Sequence, residues 1–347
     1  MSFRSWLNII TFILLALVVY FGWDQIAQAW GLMGRVNLWI FVLLVPVQFF
    51  SYYAIGEVMF SYLRSKGELV NMSRFKMTRI ALELNFVNHI IPIPSFAGFS
   101  YLGWILHRHG VSAGRATMAQ IIRFAMMFLS FVSIIVISVI VLAFDNGINR
   151  TIIIISGSFI IAAIGSTFFL IYMIGNHNRL VAFSGWLTGI VNKIVYKLTR
   201  GKKRQILKLQ IVEGFFTDLH QDYTEIRSDK KILIRPMLWA VLNNVLDVGL
   251  IAIAFLALGY WVNPATLAIA FGISSFAAIF AATPGGSGVY EAIMIAFLAS
   301  AGIPADVAIA GTLLARATLF TGTILFGYLY YQLTINKYGK ISDSTNL

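Results

Sequence analysis

The chain has 347 residues, 59% of them hydrophobic and only 12% charged, with a mean hydropathy of +0.81. That is too little charged surface for a water-soluble domain, and the apolar runs are too long for an outer-membrane barrel, whose strands would be short and alternating. The lack of cysteine excludes disulfides, thiolate metal centres and a cysteine nucleophile, and the net charge of +12 is concentrated in a few segments rather than spread.

A membrane-spanning helix takes about 20 apolar residues. Trp6–Trp23 is the first such run. Arg4 before it and Ala27-Gln28-Ala29 after it imitate a signal peptide. The run is long for a signal's apolar core and is bounded by tryptophans, so it is read as a span. Leu38–Tyr62, Ala113–Phe144, Thr151–Gly175, Ile232–Leu258 and Ala308–Leu333 follow as full spans. Two further apolar regions are interrupted. Arg79–Leu106 contains "HIIPIPSFAG", broken at Pro92 and Pro94, and Pro264–Ala301 contains "AATPGGSGVYEA", broken at Pro284, Gly285 and Gly286.

Segment 176–231 carries eleven Lys/Arg against five Asp/Glu. Flanked by spans, it reads as a cytoplasmic loop facing anionic lipid rather than as a nucleic-acid surface. Within it, Leu209, Val212, Phe216, Leu219, Tyr223 and Ile226 recur at three- and four-residue steps, the pattern of an amphipathic helix. Such a helix suits the membrane surface, the cytoplasmic face of the bundle, a cytoplasmic partner or a second copy of the chain.

Basic loops stay on the cytoplasmic side. Arg64–Arg79, His107–Arg115, segment 176–231, and Lys337 with Lys340 all satisfy this rule only if each interrupted region returns to the face it entered. The expected fold is an all-α polytopic membrane protein with both termini cytoplasmic. It has six full transmembrane helices and two re-entrant half-helix hairpins entering from opposite faces. Eight spans, each interrupted region crossing twice, is the alternative, although Val289–Ala301 would be only about 20 Å long as a helix.

Opposite-facing hairpins suggest an inverted repeat. A shift of 190 residues places Pro46 on Pro236, Glu57 on Asp247, Phe86 on Phe276, Pro94 on Pro284 and Gly98 on Gly288. Slightly larger shifts place Gly110 on Gly302 and Arg123 on Arg316. The chain is thus read as one membrane domain, with 38–144 and 232–335 as the two repeats. Each has a span bearing an acid, a hairpin broken at Pro-x-x-x-Gly and a long span bearing an arginine. Tyr101 stands where the second repeat has Glu291.

Charges at the bilayer centre cost roughly 2.5–3.5 kcal/mol on insertion scales, so Glu57, Asp247, Glu291, Arg123 and Arg316 need a reason to be there. Structural ion pairs are one reason and a polar pathway is the other. Asn243, Asn244 and Asp247 share one helix face, as do Thr117, Gln120 and Arg123. Asn85, Asn88 and His89 lie near the first break. Arginine suits phosphate because its guanidinium binds bidentately. Half-helix N-termini after Gly98 and Gly288 would add partial positive charge, so the site favours an anionic head group. "PGGSG" lacks the lysine of a phosphate loop. No HExxH, GxSxG or acidic metal cluster occurs, and His107-Arg108-His109 reads as a basic interfacial flank. No catalytic residue, metal or cofactor is expected.

"ATPGGSGVYEA", followed by a small-residue run and Arg316, resembles the C-terminal signature of the lysylphosphatidylglycerol synthase transmembrane-region family of flippase-like membrane proteins. "NHIIPIPSFAG", "GVSAGRA" and "QIIR" are similar to that family's upstream block. The likeness covers nearly the whole chain. It departs at Ser287, where leucine is common, and at Ala97, where a glycine is expected before Gly98. The resemblance implies lipid translocation, in some members of aminoacylated phosphatidylglycerol. Some relatives carry a fused transferase domain; only a short tail follows Leu333 here, so aminoacyl transfer is not expected. The expected protein is a lipid flippase-like transporter of the inner or plasma membrane, moving an anionic phospholipid head group through a polar groove. Arg123 and Arg316, with Gly98 and Gly288, would hold the lipid phosphate. Glu57, Asp247 and Glu291 would pair the arginines when the site is empty, or carry a proton, with Asn243, Asn244, Gln120 and His89 lining the path. A non-transporting scaffold for envelope-lipid or glycan synthesis, and a secondary transporter for a small anion, are the other readings.

Overall fold

The computed structural model describes residues 30–32, 34–90, 94–144, 150–198, 213–214, 217, 224, 228–279 and 286–338. Every regular element among them is helical: α1 (Leu38–Val42), α2 (Leu44–Ser65), α3 (Arg74–Ile90), α4 (Pro94–His107), α5 (Ala113–Phe144), α6 (Arg150–Ile174), α7 (His177–Leu198), α8 (Ile234–Ala257), α9 (Pro264–Ile279), α10 (Val289–Ser300) and α11 (Ala305–Tyr338). A 3-10 turn, Lys230–Leu233, leads into α8.

Local chemistry sets the helix ends. Asn37 caps α1 by accepting from the Trp39 and Ile40 N–H groups. Pro46, in the first turn of α2, cannot donate to the Val42 carbonyl and its ring crowds it, so the helical run bends at Leu43. Ser73 and Ser112 play the capping role ahead of α3 and α5, accepting from the N–H groups of Lys76 and Arg115.

Among the described residues, five stretches are long and apolar enough to cross a membrane: Leu38–Ser65, Arg115–Phe144, Arg150–Phe169, Lys230–Ala257 and Ala305–Tyr338. The protein is a multi-pass membrane protein. The expected span Trp6–Trp23 lies outside the described residues. Helix α5 coincides with its expected bounds, and α11 exceeds the expected Ala308–Leu333 at both ends. Segment 176–231 opens with α7, a helix that the charge pattern had concealed; the amphipathic stretch 205–226 lies largely outside the described residues.

Each interrupted region is a pair of short helices packed on one another, α3 with α4 and α9 with α10. Their lengths are 17, 14, 16 and 12 residues, all below a full crossing. Pro94 opens α4, where its missing N–H costs nothing. Pro92, Pro284 and Gly285 lie outside the described residues. Gly286 has φ +69°, and an added Cβ would lie 2.4 Å from that of Ala278, so glycine is required on both counts. His109, after α4, and Lys76, in the first turn of α3, line one cavity of about 570 Å³. The start of α3 and the end of α4 therefore lie close together.

The two hairpins exchange partners between halves. Helix α3 lies along α11, α9 lies along α5, and α2 lies along α8. Two cores result. One gathers Phe60, Leu84, Tyr101 and Ile105 around the first hairpin, and the other gathers Phe255, Ile269, Met294 and Phe297 around the second. Small residues allow close helix approach where lipid offers no hydrophobic drive for association. An ideal Cβ on Gly327 would stand 2.5 Å from Phe86 Cβ and 3.0 Å from the Leu82 carbonyl. Gly327→Leu should therefore force α11 off α3 and destabilise the protein by about 1–3 kcal/mol. Gly165→Leu, on α6 with nothing within 4 Å of its Cβ position, should be neutral. Thermal unfolding of both variants in detergent measures the contrast.

Candidate functional site

The second hairpin is pinned at its break. Gly288, with φ +88°, precedes α10 and leaves the first N–H groups of that helix without helical partners. Glu291 reaches back, and its Oε2 accepts from the Gly288 N–H at 2.6 Å. Its Oε1 accepts from Arg316 Nε at 2.7 Å. The Arg316 guanidinium lies over the rings of Tyr290 and Phe320, 4.3 and 4.4 Å from their centroids. The expected pairing of Glu291 with an arginine is present, and that arginine is Arg316.

The other expected residues separate. Glu57 is not paired with Arg123. It is held by Arg64, seven residues on along the same helix, and Arg64 also reaches Met77 Sδ at 2.9 Å. Two helical turns bring these long side chains together, so the nearer arginine wins. Asp247 takes hydrogen bonds from Ser51 Oγ at 2.5 Å and Asn243 Nδ2 at 2.6 Å, with no ion pair among the described residues. Asn244 points the other way, donating to Ser130 Oγ at 2.9 Å on α5. The expected common face of Asn243, Asn244 and Asp247 is therefore split between α2 and α5, because adjacent residues on a helix diverge by about 100°. Arg123 is buried and makes no ion pair among the described residues; it approaches the Phe124 ring at 5.7 Å. Gln120, one turn earlier, is fully buried with neither amide atom partnered among them. Gly98 is not at a half-helix N-terminus. Pro94 starts α4 one turn earlier and leaves Gly98 inside the helix, unlike Gly288. The side chain of His89 lies outside the described residues.

A second ionic cluster went unnoticed in the sequence. Glu83, fully buried, accepts from Arg79 Nε at 2.9 Å, Thr334 Oγ1 at 2.7 Å and the Tyr101 hydroxyl. Arg79 Nη2 also donates to Thr334 Oγ1 at 2.9 Å and to the Tyr330 carbonyl at 3.3 Å, with the guanidinium 5.2 Å above the Tyr330 ring. Tyr101, at the position matching Glu291, thus donates to an acid supplied by α3. The signal was Arg79-x-x-x-Glu83, an opposite-charge pair one turn apart.

Between α2 and α11 lies a cavity of about 440 Å³. Val45, Phe49, Leu325 and Phe326 form its walls and are themselves exposed on the bundle's outer surface, so the cavity opens sideways. Its floor is polar. Gln48 Nε2 donates to Tyr52 Oη at 2.6 Å and to the Leu319 carbonyl at 3.1 Å, and Tyr52 Oη shares a 2.6 Å hydrogen bond with Thr323. Gly322 admits the Gln48 amide, which would lie within 2.7 Å of any Cβ there. Leu314, Ala317 and Thr318 line one end of this groove; Arg316 stands level with that end but on the far side of α11, turned to Glu291, Tyr290 and Phe320. Arg79 adjoins the other, through the lining residue Tyr330. Such a groove can take an apolar chain along its walls and a polar group on its floor.

The profile of the family described as the lysylphosphatidylglycerol synthase TM region matches residues 6–327. No curated protein and no solved structure matches the chain. With nearly its whole length matched, the chain belongs to the lysylphosphatidylglycerol synthase transmembrane-region family.

Proposed function

We propose that this protein moves an anionic phospholipid between leaflets, with the acyl chains left in the bilayer and the head group passing along the α2–α11 groove. The observation that carries this reading is the sideways opening of that groove. A lipid diffuses to such an opening from within the membrane, whereas a small soluble anion arrives from water and has no use for walls of valine, leucine and phenylalanine. Gln48, Tyr52 and Thr318 of its lining would give the head group hydrogen bonds by exchanging those they make within the protein. Arg316 would supply a fork-shaped donor for phosphate on leaving Glu291, and Arg123 is a second, buried cation.

The fold we infer for this task has six full crossings and two re-entrant hairpins related as an inverted repeat. The pairing of α3 with α11 and of α9 with α5 supports it, because each hairpin meets the long arginine-bearing span of the opposite half. The lengths of the four half-helices support it too. A non-transporting membrane scaffold is the second reading, favoured by the closure of Glu57, Glu83 and Glu291 into ion pairs with Arg64, Arg79 and Arg316.

Two measurements test these readings. The chain has no cysteine, so single cysteines report topology directly. Cysteines at 70 and 110 should be modified by an impermeant reagent from the cytoplasmic face, and one at 92 from neither face. Modification at 92 from the opposite face would replace the re-entrant hairpin with two crossings. In liposomes, purified protein should accelerate leaflet exchange of fluorescent phosphatidylglycerol. Arg316→Ala should slow it by about tenfold or more, the size expected for one lost charge-assisted hydrogen bond, with helical circular dichroism unchanged. Failure of the unaltered protein to exchange anionic, zwitterionic or isoprenoid lipids would leave the scaffold reading.

A further inference from the structure

We infer that Arg79, with Thr334 and Tyr330, forms a second station for the lipid phosphate, at the Tyr330 end of the groove. The inference rests on the lipid reading above and adds a binding residue to it. Leu314 and Tyr330, the first and last α11 residues of the groove, are sixteen positions apart, or roughly 24 Å along a helix. A hydrocarbon core is about 30 Å thick. One groove therefore covers most of the distance that a head group must travel; Arg79 touches its lining residue Tyr330 at one end, and Arg316 stands level with the other on the far side of α11.

The two ends are built alike in one respect. Each arginine is paired with a carboxylate that also holds a neutral donor. Glu291 keeps the Gly288 N–H, and Glu83 keeps the Tyr101 and Thr334 hydroxyls. Either arginine can turn toward a phosphate without stranding its acid, which is the costly outcome for a buried charge. Arg79 is also ready to do so. Its Nε and Nη2 are engaged, but Nη1 has no hydrogen-bond partner among the described residues, and the side chain is 28% exposed. Arg79 belongs to the basic segment placed at the cytoplasmic face by the topology proposed above, so this station would be the cytoplasmic one.

The test uses the full chain in liposomes containing phosphatidylglycerol with a photoactivatable group beside the phosphate, followed by mass-spectrometric mapping of adducts. Adducts are expected on two stretches of α11, 314–318 and 330–334. Arg79→Ala should reduce those at 330–334 by about tenfold, the equivalent of one charge-assisted hydrogen bond, and leave those at 314–318. A diacylglycerol probe without phosphate should label 330–334 of the unaltered protein about tenfold less than the phospholipid probe by the same equivalence, a comparison that needs no variant to fold. Adducts at 314–318 alone, or adducts at 330–334 that ignore both Arg79 and the phosphate, would overturn the second station and spare the lipid reading. No adduct anywhere along the groove would overturn both.

Discussion

Hydrocarbon provides no hydrogen bonds, so every backbone group and charge placed within it must be satisfied by the protein itself. That constraint explains more of this molecule than any single contact. Breaking the chain before α10 frees N–H groups, and Glu291 is there to take one of them. Placing Glu291 there demands a cation, and Arg316 answers from α11. Packing an arginine among apolar helices then calls for aromatic faces, which Tyr290 and Phe320 present. The hairpin, the ion pair and the aromatic cradle follow from one requirement in turn.

The same requirement is met differently in the two halves. In the first, α4 opens on Pro94, which has no N–H to cap, and the acid sits on α3 as Glu83 instead of on α4. Tyr101 then supplies a hydroxyl where the second half supplies a carboxylate. Arg123 and Arg316 occupy matching places in the sequence but not in chemistry. Arg316 is closed by Glu291, whereas Arg123 is buried beside Gln120 with no ion pair among the described residues. The correspondence proposed between Arg123 and Arg316 therefore does not extend to their local bonding.

The spans were legible because run length and hydropathy report helices directly, and α5 falls where its apolar run predicts. The two interrupted regions were legible as pairs of short helices because clustered proline and glycine disfavour a continuous helix. That Glu291 needs an arginine could be read from its depth in apolar sequence, although not that the arginine is Arg316. Glu83 could not. Arg79 looked like the end of a basic flank, and the hydroxyl that completes the cluster comes from Thr334, 251 residues away. The α2–α11 groove was equally hidden, since it depends on two helices standing apart around the side chains of Gln48 and Tyr52. Glu57 takes an arginine, as a charge in apolar sequence requires, and that arginine is Arg64, two turns along the same helix.

One carboxylate in this structure holds two unlike partners, a backbone N–H at the start of α10 and the guanidinium of α11. Its two bonds belong to a single rigid group, so they are thermodynamically linked, and linkage is reciprocal. A ligand that draws Arg316 away from Glu291 changes how firmly the first turn of α10 is held, and any change in that turn alters the affinity of Arg316 for the ligand by the same factor. The occupancy of a side-chain site is thereby written into the order of the backbone at the hairpin break.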